Sequence, residues 1–310
     1  MKRLLLAALV ATFFLSPSGL SAAKKKSEGS GGDPGGHIKT ALQLVDQRQF
    51  EPAIAEFTKA LESNPDNAFA IYQNRGAMYI AVGKYPEAVA DYSKAIEMKG
   101  DDERSYLGRG QATLYLGKWD EAITDLSKAT ELKPDDAEAY GFRGFAYAKL
   151  NQWDKALPDY DKYLAAKPTD QVALERRAEA NRNQQKLPEA VTDYSKAIEQ
   201  APNKWNLYKG RAYTYHLMKD FRKSAADYRK AFELNPKDGD AQRRAQAEES
   251  LFATPTPVPV ATPAPTPVPK ASLFTPMNIG IGAVILLILV IVVVMMARKK
   301  SGSEYRVGGS

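Results

Sequence analysis

Apolar positions along this chain recur in steps of three and four, break, and then recur again. Tyr140, Gly144, Tyr147 and Leu150 form one stripe, and Trp153, Ala156, Tyr160 and Tyr163 form the next. Each stripe marks an amphipathic helix with one face to bury. Neither helix could bury its face alone, so the two are predicted to pack together. Asn151 falls between the stripes, and equivalent positions hold Gly83 and Gly117, residues that accept the left-handed conformation ending a helix. Pro86 and Pro188 lie near the first turn of the following helix, where a missing N–H is tolerated.

The pattern repeats. Asp-Tyr-Ser-Lys-Ala-Ile-Glu occurs at Asp91 to Glu97 and again at Asp193 to Glu199, three times 34 residues apart. Asp91, Asp125, Asp159, Asp193 and Asp227 keep that interval, each followed by Tyr or Leu. Six units fit, closing near Pro65, Gly100, Pro134, Pro168, Pro202 and Pro236. Gly76, Gly110 and Gly144 on first helices meet Ala88, Ala122 and Ala156 on second helices, which permits close backbone approach. A period of this length predicts one elongated array rather than two globular domains. Gly239 to Phe252 is predicted to be a final helix whose Arg243, Arg244, Glu248 and Glu249 give it the polar face of a cap.

These features resemble the tetratricopeptide repeat: a 34-residue pair of helices with small residues at its eighth and twentieth positions, aromatics near the eleventh, seventeenth and twenty-fourth, and a closing proline. The resemblance covers roughly two thirds of the chain and implies an all-α fold, a right-handed α-solenoid of six units plus a capping helix over 37–252. Departures are local. The first unit has Ala41 for the glycine, the fifth has Ala178 for the glycine and Asn181 for the aromatic, and the sixth has Ser224 for the alanine.

At the seventh position, often leucine in the family, stand Arg75, Arg109, Arg143, Arg177 and Arg211, while acids hold the twenty-third. The expectation is a structural ion-pair ladder in which each arginine meets a carboxylate on a neighbouring second helix, from Glu56 through Asp91, Asp125, Asp159 and Asp193 to Asp227. The pairing could cross units, because Glu56 shares its unit with Thr40, and Arg243 or Arg244 lies beyond Asp227. Solvated charge is the alternative. Pro158, inside a second helix, predicts a kink or a late helix start.

The resemblance also implies a concave face of first helices that takes peptide or protein segments. Its groove positions fall on Gln73, Asn74 and Ala77; Leu107, Gln111 and Tyr115; Phe142, Phe145 and Lys149; Arg176, Glu179, Arg182 and Asn183; and Lys209, Tyr213 and His216. Family members that grip the C-terminal carboxylate of chaperones use lysines, asparagines and an arginine over three consecutive units. Here Asn74 and Arg104 match, but Ile38, Leu42 and Gly108 stand where polar groups are required, so the first three units lack that clamp.

The chain carries a formal net charge of +6, but 37–252 holds 33 Lys and Arg against 34 Asp and Glu, about −1. The basic excess lies at the ends, which argues against nucleic acid as a partner. There is no cysteine, and His37 and His216 are the two histidines, so no disulfide framework, metal site or cofactor is expected. No phosphate loop, nucleophile elbow or two-histidine metal helix is present, and His216 with Glu179 or Glu175 is the one place where catalytic chemistry could be sought.

Both ends carry targeting patterns. Lys2 and Arg3 precede an apolar stretch from Leu4 to Leu15, followed by Ser21, Ala22 and Ala23, which reads as a signal peptide over 1–23. The Gly, Ser and Lys residues of 24–36 predict disorder. Prolines alternate with Thr, Val and Ala through 253–276, which predicts an extended spacer. The uncharged stretch 277–297 is long enough for a transmembrane helix, with Arg298, Lys299 and Lys300 opening a cytoplasmic tail over 298–310. The expectation is a single-pass membrane protein of a bacterial inner membrane, with its repeats in the periplasm binding other proteins as a scaffold. Two rival readings are a self-associating spacer and a carrier or chaperone of unfolded polypeptide or envelope polymer.

Overall fold

The computed structural model describes residues 34–63, 65–252 and 286–295. Thirteen helices run from residue 34 to residue 252: α1 (Pro34–Asp46), α2 (Phe50–Glu62), α3 (Ala68–Ala81), α4 (Tyr85–Met98), α5 (Glu103–Tyr115), α6 (Trp119–Leu132), α7 (Ala137–Lys149), α8 (Trp153–Ala166), α9 (Gln171–Asn183), α10 (Leu187–Gln200), α11 (Trp205–Leu217), α12 (Phe221–Leu234) and α13 (Gly239–Phe252). Odd-numbered helices are the first of each unit and even-numbered ones the second, with α13 as the cap. No strand occurs among the described residues. Each helix packs on the next, and first helices of successive units also touch, α3 on α5 through to α9 on α11. First helices therefore crowd the inner side of the array, and second helices fan out on the outer side.

Local chemistry explains why the helices end where they do. Between the paired helices, Arg48, Gly83, Gly117, Asn151, Gln185 and Lys219 all hold φ between 57° and 78°. The next residue's N–H reaches back to the helix, as Lys84 does to the Tyr79 carbonyl at 2.8 Å and Gln152 to the Tyr147 carbonyl at 2.9 Å. These closures satisfy carbonyls that would otherwise be orphaned. Three of the six positions use residues with long side chains, a substitution the periodicity alone does not anticipate. Asp102, Asp136 and Asp170 cap α5, α7 and α9, accepting from the backbone N–H of Ser105, Glu138 and Ala173.

The core is a row of small clusters rather than one centre. Ala88, Ala122, Ala156, Ala190 and Ala231 are fully buried among Tyr92, Leu126, Tyr160, Tyr194 and Tyr228. Glycines on the first helices provide seats for these rings. A Cβ on Gly108 would lie 2.2 Å from the Tyr92 ring, and one on Gly210 would lie 2.6 Å from the Tyr194 ring. Pro158 sits inside α8, which nevertheless starts in register at Trp153, so the expected late start does not occur. The helix α1 begins at Pro34, inside the segment expected to be disordered.

The signal segment 1–23, the spacer 253–276 and the tail 298–310 lie outside the described residues. Of the apolar stretch 277–297, residues 286–295 are described as a helical run belonging to a second compact unit. Among the described residues no helix is long and apolar enough to cross a membrane. That finding overturns the expected localisation, a single-pass protein with periplasmic repeats and a cytoplasmic C-terminus.

Candidate partner-binding groove

The first helices place the expected groove positions in two different environments. In the second and third units most of them turn into the array. Leu107 is 1% exposed and packs with Leu114, Leu126 and Phe142. Gln73 is buried and donates to the carboxylate of Asp102 and the hydroxyl of Ser105, which ties α3 to the start of α5. Gln111 is buried beside the Tyr115 hydroxyl, and Asn74 donates to the Ala70 carbonyl one turn back in its own helix. Phe142 is buried as well. These side chains are core and junction groups, and the physical reason is helix phase. A residue at the fifth position points at the next unit, as Gln73 does, and a large one at the sixth packs back on the preceding unit, as Phe142 does on Leu107 and Leu114.

From Tyr115, at the end of the third unit's first helix, onward the environment differs. Tyr115 stacks on Tyr85 with ring centroids 4.7 Å apart. Phe145 meets the edge of Trp119 at 6.1 Å and lies between two cations, the Arg176 guanidinium 4.1 Å from its centroid and the Lys149 ammonium at 5.0 Å. The Arg182 guanidinium donates to the Tyr194 hydroxyl at 2.9 Å and lies 5.3 Å from the Tyr213 ring. Tyr213 is exposed and stacks on His216 at 6.2 Å, and His216 Nδ1 is 2.6 Å from Glu248 Oε1 on the cap. Lys209 reaches Asp238 at 2.8 Å, fastening the cap's first turn. Glu179 and Asn183 are exposed, and Asn183 donates to the Glu179 carbonyl. Behind this strip, burial and the neighbouring charge of Glu179 push the Glu175 carboxyl up from its ordinary range, although Asn206 and Gln171 donate to it.

The result is a strip in which rings and cations alternate across four successive first helices. Such groups offer large apolar contact and directional charge together, the combination found where binding energy concentrates. Tyr85, Trp119 and Tyr194 belong to the strip yet come from second helices. Sequence reasoning restricted to first-helix positions missed them, although aromatics at the seventeenth and twenty-fourth positions were the available signal.

The arginines form a separate arrangement on the outer side. Arg75 Nε and Nη2 donate to Asp91 Oδ2 and Oδ1, both at 2.8 Å. The same forked contact joins Arg109 to Asp125, Arg143 to Asp159, Arg177 to Asp193 and Arg211 to Asp227, at 2.7–3.0 Å. All five pairs lie within a unit, so the fork does not cross units. The remaining nitrogen does. Arg75 Nη1 donates to Thr58, Arg109 Nη1 to Ser93, Arg143 Nη1 to Ser127 and Thr130, Arg177 Nη1 to Asp161, and Arg211 Nη1 to Ser195, each on the preceding second helix. Glu56 has no arginine. It pairs with His37 and Lys59, which hold its carboxyl below the ordinary range, Lys59 more than His37.

Comparison with known proteins agrees with this architecture. Tetratricopeptide repeat models match residues 38–103, 146–204 and 207–238, and a TPR repeat model matches 110–151, together more than half of the chain. A Protein SGT1 homolog from Oryza sativa subsp. japonica is 39% identical over 69 residues, 22% of this chain and 18% of that protein. The Hsp70-Hsp90 organizing protein of Triticum aestivum is 45% identical over 51 residues, 16% and 9% of the two chains. DnaJ homolog subfamily C member 3 from Bos taurus is 34% identical over 65 residues, 21% and 13%. This chain thus spans less than a fifth of each of these relatives. Among solved structures, YrrB, described as a TPR protein with an unusual peptide-binding site, aligns with a TM-score of 0.56 at 23% identity, covering 61% of this chain and 97% of that one. A tetratricopeptide repeat protein from Parabacteroides merdae aligns at 0.55 and 23% identity, covering 72% and 94%. At these identities the structural likeness is one of fold alone. The chain belongs to the tetratricopeptide repeat family.

Proposed function

We propose that the array is a non-enzymatic scaffold that holds a peptide or protein segment along the first-helix side of units three to six. The observation that carries this reading is the alternation of Tyr115, Phe145 with Lys149 and Arg176, and Arg182 with Tyr213 and His216. A solvated surface helix has no need of a ring with two cations over it, as Phe145 has, whereas a segment with apolar and acidic side chains meets both partners there. The matches to an Hsp70-Hsp90 organizing protein and a Protein SGT1 homolog support an interaction role. They do not make a chaperone tail the ligand. Ile38 is core, and the Tyr92 ring lies against Gly108 where a polar side chain would have to stand.

A photo-crosslinking residue at Phe145 or Tyr213 tests the reading in cells. Adducts with one or a few defined proteins, lost when Arg176→Glu reverses the charge beside Phe145, are the expected result. Adducts only with further copies of this chain, or none, would overturn it.

A further inference from the structure

The fifth unit departs from its neighbours at the eleventh position of its first helix. In the second, fourth and sixth units the eleventh position is tyrosine, and its ring lies by the guanidinium one turn before it. Tyr79 is 5.6 Å from Arg75, Tyr147 is 6.0 Å from Arg143 and Tyr215 is 6.0 Å from Arg211. A residue at the nineteenth position completes the enclosure, with Lys155 5.6 Å from the Tyr147 ring and Lys223 5.4 Å from the Tyr215 ring. In the fifth unit the eleventh position is Asn181, whose amide turns inward to donate to Asp193 at 3.2 Å. In the third unit it is Thr113, folded back on the Arg109 and Gly110 carbonyls.

Beside Asn181 there is a cleft of about 410 Å³. Arg177 and Asn181 from α9 line it, Leu157 of the preceding second helix contributes an apolar side chain, and Glu189, the nineteenth-position residue, lines it as well. The cleft is thus lined by the seventh-position arginine that a tyrosine of the chain itself meets in three sister units, and by the nineteenth-position residue that meets the same ring in two of them. It is open to solvent and within the size range of about 300–1,000 Å³ typical of small-ligand sites.

We infer that this cleft is a second recognition site, which takes the side chain of a tyrosine from a partner polypeptide and seats its ring on Arg177. The charges around it favour a neutral ring over an ion. Arg177, Lys186 and Lys196 are balanced by Asp161, Glu189 and Asp193, and all three donor nitrogens of Arg177 are already held, by Asp193 and by Asp161 at 2.6 Å. The guanidinium face is still available for stacking, and it carries a tyrosine ring in each of the three sister units. Thr192 and Asn181 stand at the cleft to meet the phenol hydroxyl.

The test is titration of the full chain with p-cresol, the side chain of tyrosine, followed at the Arg177 Nε–H signal by nuclear magnetic resonance. Saturable movement of that signal is expected. Asn181→Tyr, which supplies the array's own ring, should weaken p-cresol binding at least about tenfold. Thr192→Trp, at an exposed rim position, should do the same without moving the melting temperature, and it carries the test if Asn181→Tyr fails to fold. Phe145→Ala in the groove should leave p-cresol binding at Arg177 unchanged. A signal that does not move up to the solubility of p-cresol overturns the inference. So does wild-type affinity in the Thr192→Trp variant, or equal binding of 4-methylcyclohexanol, the saturated counterpart.

Discussion

Replacing Arg143 by methionine is the sharpest test of what the outer ion pairs contribute. Asp159 is 4% exposed, and its carboxylate is held by two donors of Arg143 at 2.8 Å each. Methionine keeps much of the side chain's length and its packing between Tyr140 and Tyr147 but removes the charge. Asp159 is then left ionised and buried without its partner, and breaking such a pair costs about 3–5 kcal/mol. The loss of Ser127 and Thr130 as acceptors of Arg143 adds a smaller amount. Denaturant unfolding of the array would read the cost. Removing both partners, Arg143→Met with Asp159→Leu, should recover most of it, because no charge is then stranded. The comparison with the fifth unit sharpens the test. Asp193 keeps a donor from Asn181 when Arg177 is removed, so Arg177→Met should cost less than Arg143→Met. A cost below about 1 kcal/mol for Arg143→Met, the level of an exposed ion pair, would refute the reasoning.

Three further outcomes follow from particular sites. Glu103, with one carboxyl oxygen buried and unpartnered, has its carboxyl pushed up to about 7 by burial and by Asp136, against the smaller opposing pull of Lys133. Because its folded pKa is raised, the stabilisation it gives is full below its ordinary value near 4.5 and is lost as pH rises through about 7. Wild type should therefore lose about 1–3 kcal/mol, discounted for partial solvent screening, relative to Glu103→Gln between pH 4.5 and 8 in unfolding titrations. Gln185→Gly relieves a side chain held at φ 61° and should stabilise the array by about 0.5–1 kcal/mol in thermal unfolding. Gly108→Ala drives a methyl group into the Tyr92 ring and should cost about 1–3 kcal/mol, read as an earlier midpoint in urea.

How much of this was legible in the sequence depended on what repeats. The 34-residue phase places every helix pair, because a stripe of apolar residues has one way to be buried in a stack of like units. It also points to Arg75 and Asp91 as partners in kind. It did not say whether the forks cross units, since the seventh position lies near two second helices at once. Both are in fact used, the aspartate of the same unit for the fork and the hydroxyl or carboxylate of the preceding unit for the third nitrogen. That accounts for the string that recurs at Asp91 and Asp193. Its aspartate takes the arginine of its own unit, its tyrosine fills the seat under a glycine of the next unit, and its serine takes the next unit's arginine. The groove was less legible. Position along a helix cannot tell Gln111, buried beside Tyr115, from Tyr213, which holds the same ninth position and faces solvent, because the difference lies in what the neighbouring units present. The membrane reading rested on apolarity over 277–297, and among the described residues no helix is long and apolar enough to cross a membrane.

The third nitrogen of each arginine always reaches toward the unit before it and never toward the unit after. The array consequently has a grain. A unit leaving the ribosome brings its own clasp to a neighbour that is already complete, so growth from the N-terminal end needs nothing that has yet to be made. Trimming shows the same asymmetry: a unit lost from the C-terminal side takes its clasp with it, whereas one lost from the N-terminal side leaves a donor with nothing to hold. Lineages that lengthen or shorten such a chain by whole units would be expected to do so after the last arginine rather than before the first.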